Sequence, residues 1–538
     1  MAGLWTMIRL ILRRDRVKLP LCFGGFAIVC LLLVPVMRDV YGDPDSLSSM
    51  HETLGISPAA RFVVGSMDAP TLGALVTVEL LLWFGVALAI INTMFVVRHT
   101  RHNEEVGAQE LLLSGRAHRA SGLVAAIVVA ALTNVAVTVV LGAGLQMMNL
   151  PWSVSESWLF ATALGAFGLV WATIAAIVVQ LVENGRTANS ILAGLVGIAF
   201  VMRGVGDFLA QMGDSGLYEP TWVSVFSPFG WMQATRPLTN PDWSPLLISL
   251  GFAVAATVIS CVLLSCRDVG AGILPARKGR ARASRLLGTP LGLVWHVQKN
   301  VFIGWLVTIV LMVATIGALV PQMASILSDS DGMRLMIQAV GGAGELVPAF
   351  IATMMAIVCL MVFSYVIHGL TKLHSEESSG HLDNLLSTKI SRTKWIGLNT
   401  LVVGVGAVVM LVAIGFGLAV CVNILSKYTV NVGEYTLAAL SYAPIVWAFA
   451  GLYLALYGLL PRIAGGVTWL YFGFVAFTFW LGPIIKLNES VMKLSIMDYI
   501  ATPPIEDILV WPLSIMGAIA TGLIIVGFVA FRRRSIKM

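Results

Sequence analysis

Twelve apolar runs, each long enough to cross a bilayer, leave this chain little room for anything else. Bounded by charges and turn residues, they lie near 19–38, 71–97, 121–148, 158–182, 188–212, 244–265, 301–321, 348–368, 397–424, 436–459, 466–485 and 507–530. A spanning helix needs about 20 apolar residues, so these spans and short connections use up the 538 residues. The pattern predicts an all-α polytopic membrane protein. Composition agrees, with 58% hydrophobic and 12% charged residues, where a soluble protein is roughly a quarter charged. A water-soluble enzyme and a disordered chain are excluded. The six cysteines, Cys22, Cys30, Cys261, Cys266, Cys359 and Cys421, fall within apolar runs or at the edge of one. They read as small apolar side chains, with neither a disulfide framework nor a metal cluster implied.

An even number of spans places both termini on one side. If that side is the cytoplasm, its segments carry 26 of the 34 Lys and Arg but only 9 of the 28 Asp and Glu. The Lys/Arg bias sets orientation, so both termini are expected in the cytoplasm. The net charge of +6 is then a topogenic signal and not a nucleic-acid footprint. Arg9, Arg13, Arg14, Arg16 and Lys18 precede the first run without a small-residue cleavage pattern after it, which predicts an uncleaved first helix. Ahead of it, Leu4, Trp5, Ile8, Ile11 and Leu12 repeat at helical spacing, with Arg9, Arg13 and Arg16 on another face. That is an amphipathic helix suited to the headgroup layer, in contact with membrane lipids.

The chain repeats itself. The loop after the second run reads Glu104-Glu105-Val106-Gly107-Ala108-Gln109-Glu110-Leu111-Leu112-Leu113-Ser114, and that after the eighth reads Glu377-Ser378-Ser379-Gly380-His381-Leu382-Asp383-Asn384-Leu385-Leu386-Ser387. The two align without a gap at an offset of 273 residues, which also superposes Arg119 on Arg392. Arg186/Arg462, Ser227/Ser495 and Trp231/Tyr499 echo one another nearby. Six helices followed by six in the same orientation form a parallel repeat, with a pathway expected between the halves. The halves are read as 1–275 and 276–538, joined by a basic linker with Arg267, Arg277, Lys278, Arg280, Arg282 and Arg285. Each repeated loop can form a short helix. Leu111, Leu112 and Leu113 would give it an apolar side, Glu104, Glu105 and Glu110 face elsewhere, and Gly107 and Gly380 permit a tight turn.

The chemistry expected of an enzyme or an ATPase is missing. The dipeptide Gly-Lys of a phosphate-binding loop does not occur, nor do His-Glu-x-x-His or paired Cys-x-x-Cys motifs. No catalytic residue, metal ligand or cofactor site is expected in the chain, so a transporter would either use an ion gradient or borrow ATP hydrolysis from another chain. For a gradient, the intramembrane candidates are Glu79, Arg203 and Asp207, because a charge at a helix centre costs about 2.5–3.5 kcal/mol and requires a partner or water. Arg203 and Asp207, four apart, can pair on one helix face, and Glu79 could reach Arg203 if their spans pack together. Together the three would form a polar lock or substrate contact on the outward side; the alternative is a static ion pair near the outer headgroups. Asn92, Asn134, Gln180 and Glu183 look like interhelical hydrogen-bonders or membrane-edge groups.

These loops, Ser227-Pro228-Phe229-Gly230-Trp231 and Arg267-Asp268-Val269-Gly270-Ala271-Gly272-Ile273-Leu274-Pro275 together resemble the membrane permeases of ABC exporters for polyketide antibiotics, including the tetronasin-type permeases of actinobacteria. The resemblance covers essentially the whole chain. It implies a type-2 ABC exporter permease fold, with a coupling helix between the second and third spans of each half and short outer helices before the last span. It also implies a bacterial plasma membrane and two copies of a separate ABC ATPase subunit, in which ATP and magnesium would sit. The coupling role then falls on Glu104, Glu105, Gly107 and Glu110 in the first half and on Glu377, Gly380 and Asp383 in the second. The copies differ, since Asp383 and Asn384 stand where the first half has Glu110 and Leu111. The expected cargo is a small hydrophobic or amphipathic compound. The competing reading is a proton-driven secondary multidrug carrier with twelve helices.

Overall fold

The computed structural model describes residues 3–56, 58–113, 115, 118–212, 218–219, 221–274, 284–329, 346–388, 390–426, 429–482, 487–499 and 509–535. Ser114, Pro275, Arg277, Lys278, Arg280 and Arg282 lie outside the described residues, as do the side chains of Leu112 and Leu113. Among the described residues, twelve helices are long and apolar enough to span a membrane: Pro20–Tyr41, Leu72–Glu105, Ser121–Met147, Val154–Leu181, Gly185–Phe208, Ser244–Ser265, Pro290–Pro321, Phe350–Ser378, Arg392–Leu425, Val432–Leu459, Pro461–Trp480 and Val510–Arg533. The protein is an all-α multi-pass membrane protein. A two-residue antiparallel ladder, Gln211–Met212 with Tyr218–Glu219, is the sole strand pairing among the described residues.

Several spans outrun the apolar runs that predict them. The second and ninth are 34 residues long, about 51 Å at 1.5 Å per residue, against a hydrocarbon core of about 30 Å. Helical hydrogen bonding does not stop where hydropathy does, so these helices carry polar ends clear of the lipid. The second span is also irregular. Its turn Thr77–Leu81 is π-helical and holds Glu79, and a break at Thr100 (φ −115°, ψ −87°) re-aims Arg101–Glu105.

Contacts divide the chain into two compact units, Met1–Gly279 and Arg280–Met538, each containing six of the spans. The first is built around the fourth span, whose Phe167 meets Phe229 with ring centroids 4.7 Å apart. The second is built around the eighth, where Phe363 stacks on Phe449 at 4.9 Å. Buried amides lock neighbouring spans. Asn92 donates to Asn134 at 3.2 Å and Asn134 returns a bond at 2.7 Å, while Gln298 donates to Asn399 at 3.2 Å. Interhelical bonds of this kind contribute about 0.6 kcal/mol each on average in membrane proteins.

The predicted amphipathic helix forms at Leu4–Arg14, but its apolar stripe is divided. Met7, Ile8 and Ile11 are buried against the third span, whereas Trp5 is 74% exposed. The helix is thus partly a bundle element, and Asp15 at its end accepts contacts from His99 at 2.6 Å and Arg98 at 3.0 Å. Before the last span of each half, short helices occur at Trp222–Val225 and Pro228–Ala234, and at Glu489–Met492 and Ile496–Tyr499. The echo Trp231/Tyr499 has a geometric meaning: each donates to the carbonyl six residues back, Val225 at 2.6 Å and Lys493 at 2.9 Å.

Candidate functional site

The repeated loop of the first half is anchored by a buried network of charges. Glu104, at the end of the extended second span, receives Arg267 on both oxygens, at 2.6 Å and 2.9 Å, and Arg101 at 2.6 Å. Arg267 also donates through Nε to Gln180 at 2.8 Å and to the Ala271 carbonyl at 2.8 Å. Arg101 reaches the carbonyls of Val182 and Ala271, and Arg119, at the head of the third span, donates to the Arg267 carbonyl. Two arginines therefore meet at one carboxylate and tie it to the ends of the third and fourth spans. The segment after Arg267 turns at Gly270 (φ +82°) and runs back along the end of the fourth span, Ile273 donating to Gln180 at 3.1 Å and Leu274 to Leu181 at 2.9 Å. The Cβ of any other residue at Gly272 would collide with the Val182 and Leu181 backbone.

The second half repeats the arrangement with fewer parts. Glu377 pairs with Arg534, just beyond the last span, and accepts from the Tyr457 hydroxyl at 2.6 Å. Arg534 donates to the Tyr457 carbonyl at 2.7 Å and lies over the rings of Tyr457 and Phe531. Arg392 donates to the Arg534 carbonyl at 2.7 Å, as Arg119 does to that of Arg267. The first anchor is drier: Glu104 and Arg267 side chains are 5% and 3% exposed, Glu377 and Arg534 17% and 14%.

The sequence-predicted loop residues thus fall into two groups. Glu104 and Glu377 point into their own bundles, and Glu105 accepts from the Gly185 backbone at 2.6 Å. Gly107 and Gly380 make the turn, at φ +71° and +74°. Glu110 and Asp383 are exposed on the short helices Ala108–Leu113 and His381–Leu386. Leu111, expected on an apolar side, is instead 79% exposed, as is Val106 at 60%. In the second half Leu382 is buried and Leu385 and Leu386 pack on the core. Arg267 and Arg534 were missed as ligands of the loop. They lie 163 and 157 residues after their glutamates, so the 273-residue offset does not superpose them.

At the opposite end of the first unit, Arg203 and Asp207 pair at 3.0 Å, as their spacing predicts. The expected reach of Glu79 to Arg203 is not observed. Arg203 is spent on Asp207 and on the carbonyls of Arg61 and Val63, because the helix Pro58–Val64 packs on the fifth span. Glu79 has no hydrogen-bond or ion-pair partner among the described residues. Asp207 borders a polar cavity of about 290 Å³ with Asp68, Gln233, Arg236, Asn240 and Asp242. Among the described residues no group of His, Cys, Asp or Glu gathers to hold a metal.

Burial pushes the Asp68 carboxyl above its usual range, against the opposing pull of Arg236 at 3.5 Å, Thr239 and His51. An acid raised in this way favours folding below its unfolded pKa, and that contribution is lost as pH rises through the folded value. Asp68→Asn is therefore expected to raise the thermal unfolding midpoint at about pH 7 and to lose that advantage toward about pH 4. Unfolding of both proteins in detergent at the two pH values checks this. A gain of equal size at both would show that the charge is not its cause.

Among the described residues, twelve spans in two six-span units, each with an anchored loop between its second and third spans, define a tandem-repeat polytopic membrane protein. The family described as "Multidrug efflux system permease Rv1217c, C-terminal domain" matches residues 6–264 and 287–532, one stretch in each unit, and the chain belongs to that family. It is also similar to the multidrug efflux system permease protein Rv1217c of Mycobacterium tuberculosis (strain ATCC 25618 / H37Rv). The two are 29% identical over 553 residues, spanning 99% of this chain and 95% of the relative.

Proposed function

We propose that this efflux permease is the membrane subunit of an ATP-driven ABC exporter of the type-2, tetronasin-like kind, in the plasma membrane of a bacterium. The duplicated loop carries the reading. In each half a glutamate latched to the end of the last span holds a turn whose outer residues, Val106, Glu110 and Leu111 or Asp383 and Asn384, stand in solvent. A force applied to such a tip is transmitted to the second span directly and to the last span through the latch. Two copies of an ATPase subunit, holding ATP and magnesium, dock on the two tips, and their closure on ATP drives the loops. Both termini face the cytoplasm, in keeping with the Lys/Arg bias. The cargo is a hydrophobic or amphipathic compound, consistent with the multidrug designation of the relative and with the polyketide-antibiotic resemblance. The chain contributes the pathway and no catalytic group.

Gentle purification of the tagged chain from its host tests the proposal. An ATP-hydrolysing protein is expected to co-elute at about two copies per chain, the number of repeated loops, with hydrolysis stimulated by apolar compounds. A lone chain whose transport in vesicles follows a proton gradient would overturn it and place Glu79 and Asp207 at the centre of the mechanism.

A further inference from the structure

Each half carries an apolar groove at the same place, between its first span and its third. In the first half the groove holds about 430 Å³ and is walled by Leu19, Phe23, Ala27, Val137 and Val140. In the second it holds about 560 Å³, walled by Trp295, Phe302 and residues of the ninth span. Leu132, Thr133 and Ala136 line the first, and Val405, Gly406 and Val409 line the second at the loop offset of 273 residues. The groove is therefore a feature of the repeat. The two differ in charge: Arg16 lines the first, and no charged residue lines the second.

The position of Arg16 is set by its neighbours. Asp15 is buried and held by Arg98 and His99, and Arg14 donates to Asn103 at 2.8 Å. Arg16 itself is exposed and enters no ion pair among the described residues, and Arg13 and Lys18 beside it are exposed too. The first span opens with a π-helical turn, Pro20–Gly24, whose Pro20 and Gly24 border the groove; such wide turns often mark functional positions. Pro20, Leu132, Ala136 and Val140 on the rim are exposed, so the groove opens sideways into hydrocarbon. An occupant must offer an apolar chain to the walls and an anion to the guanidinium.

We infer that the groove of the first half is a binding site for one anionic phospholipid, its acyl chain along Phe23, Ala27 and Val137 and its phosphate on Arg16. The second groove takes apolar chains without regard to headgroup charge. The lipid would tie the N-terminal helix, the first span and the third span together. The inference is independent of what energises transport.

The test uses the full chain in nanodiscs of equal phosphatidylglycerol and phosphatidylcholine, released for native mass spectrometry. Wild type is expected to retain phosphatidylglycerol over phosphatidylcholine by roughly fivefold, the attraction of about one basic side chain for anionic lipid. Arg16→Gln should bring the ratio near one, and Arg16→Lys should keep most of the preference, which separates lost charge from lost fold. Ala136→Trp, filling the groove while leaving Arg16 in place, should lower retention of phosphatidylglycerol as well. Equal retention of the two lipids by wild type, or an unchanged preference in Arg16→Gln, would overturn the assignment.

Discussion

Reversing the exposed charges of both loops, Glu110→Lys together with Asp383→Lys, is expected to abolish drug efflux while leaving membrane abundance and thermal unfolding unchanged. Both side chains stand in solvent on short helices, where substitutions usually shift stability by no more than about 0.5 kcal/mol. At an interface, like-charge juxtaposition costs several kcal/mol, enough to release a docked subunit. Drug accumulation in cells and co-elution of the proposed ATPase are the readouts. Efflux at the wild-type level in the double variant would refute docking at these tips. Glu104 and Glu377 are unsuitable for the same experiment, because both are tied inside their own bundles and a loss of efflux would not separate uncoupling from damage to the fold.

Arg267→Ala is expected to be the most damaging single change at the loops, destabilising the protein by about 3–5 kcal/mol, the typical result of removing one member of a buried ion pair. Glu104, 5% exposed, would keep only Arg101, Gln180 would lose its donor, and the Ala271 carbonyl would be left with Arg101 alone. Arg534→Ala should cost less, about 1–3 kcal/mol, because Glu377 is more accessible and retains the Tyr457 hydroxyl. Thermal unfolding in detergent and residual abundance in membranes measure both. Replacing both charges, Glu104→Gln with Arg267→Met, should not recover the loss, since Arg101, whose side chain is fully buried, would then be the stranded charge. Equal losses for Arg267→Ala and Arg534→Ala would show that the two anchors do not differ as their burial implies.

Twelve spans were legible because apolar runs of that length have no other stable setting. The repeat was legible because duplicated loops keep residue types at a fixed offset. The tight turns at Gly107 and Gly380 and the pair Arg203–Asp207 were legible as well, since φ freedom and an i,i+4 spacing are local properties. What Glu104 and Glu377 do was not legible. An exposed and a buried glutamate look alike in a polar loop, and their partners Arg267 and Arg534 lie about 160 residues further on, beyond any local pattern. The same holds for Glu79, whose separation from Arg203 is decided by the helix Pro58–Val64 packing on the fifth span. The stripe of the N-terminal helix, likewise, is periodic in the sequence, but only packing divides it between bundle and surroundings. Hydropathy and periodicity report what one segment prefers as a solvent. Which charges meet depends on how distant segments are brought together, and that the tertiary structure alone decided.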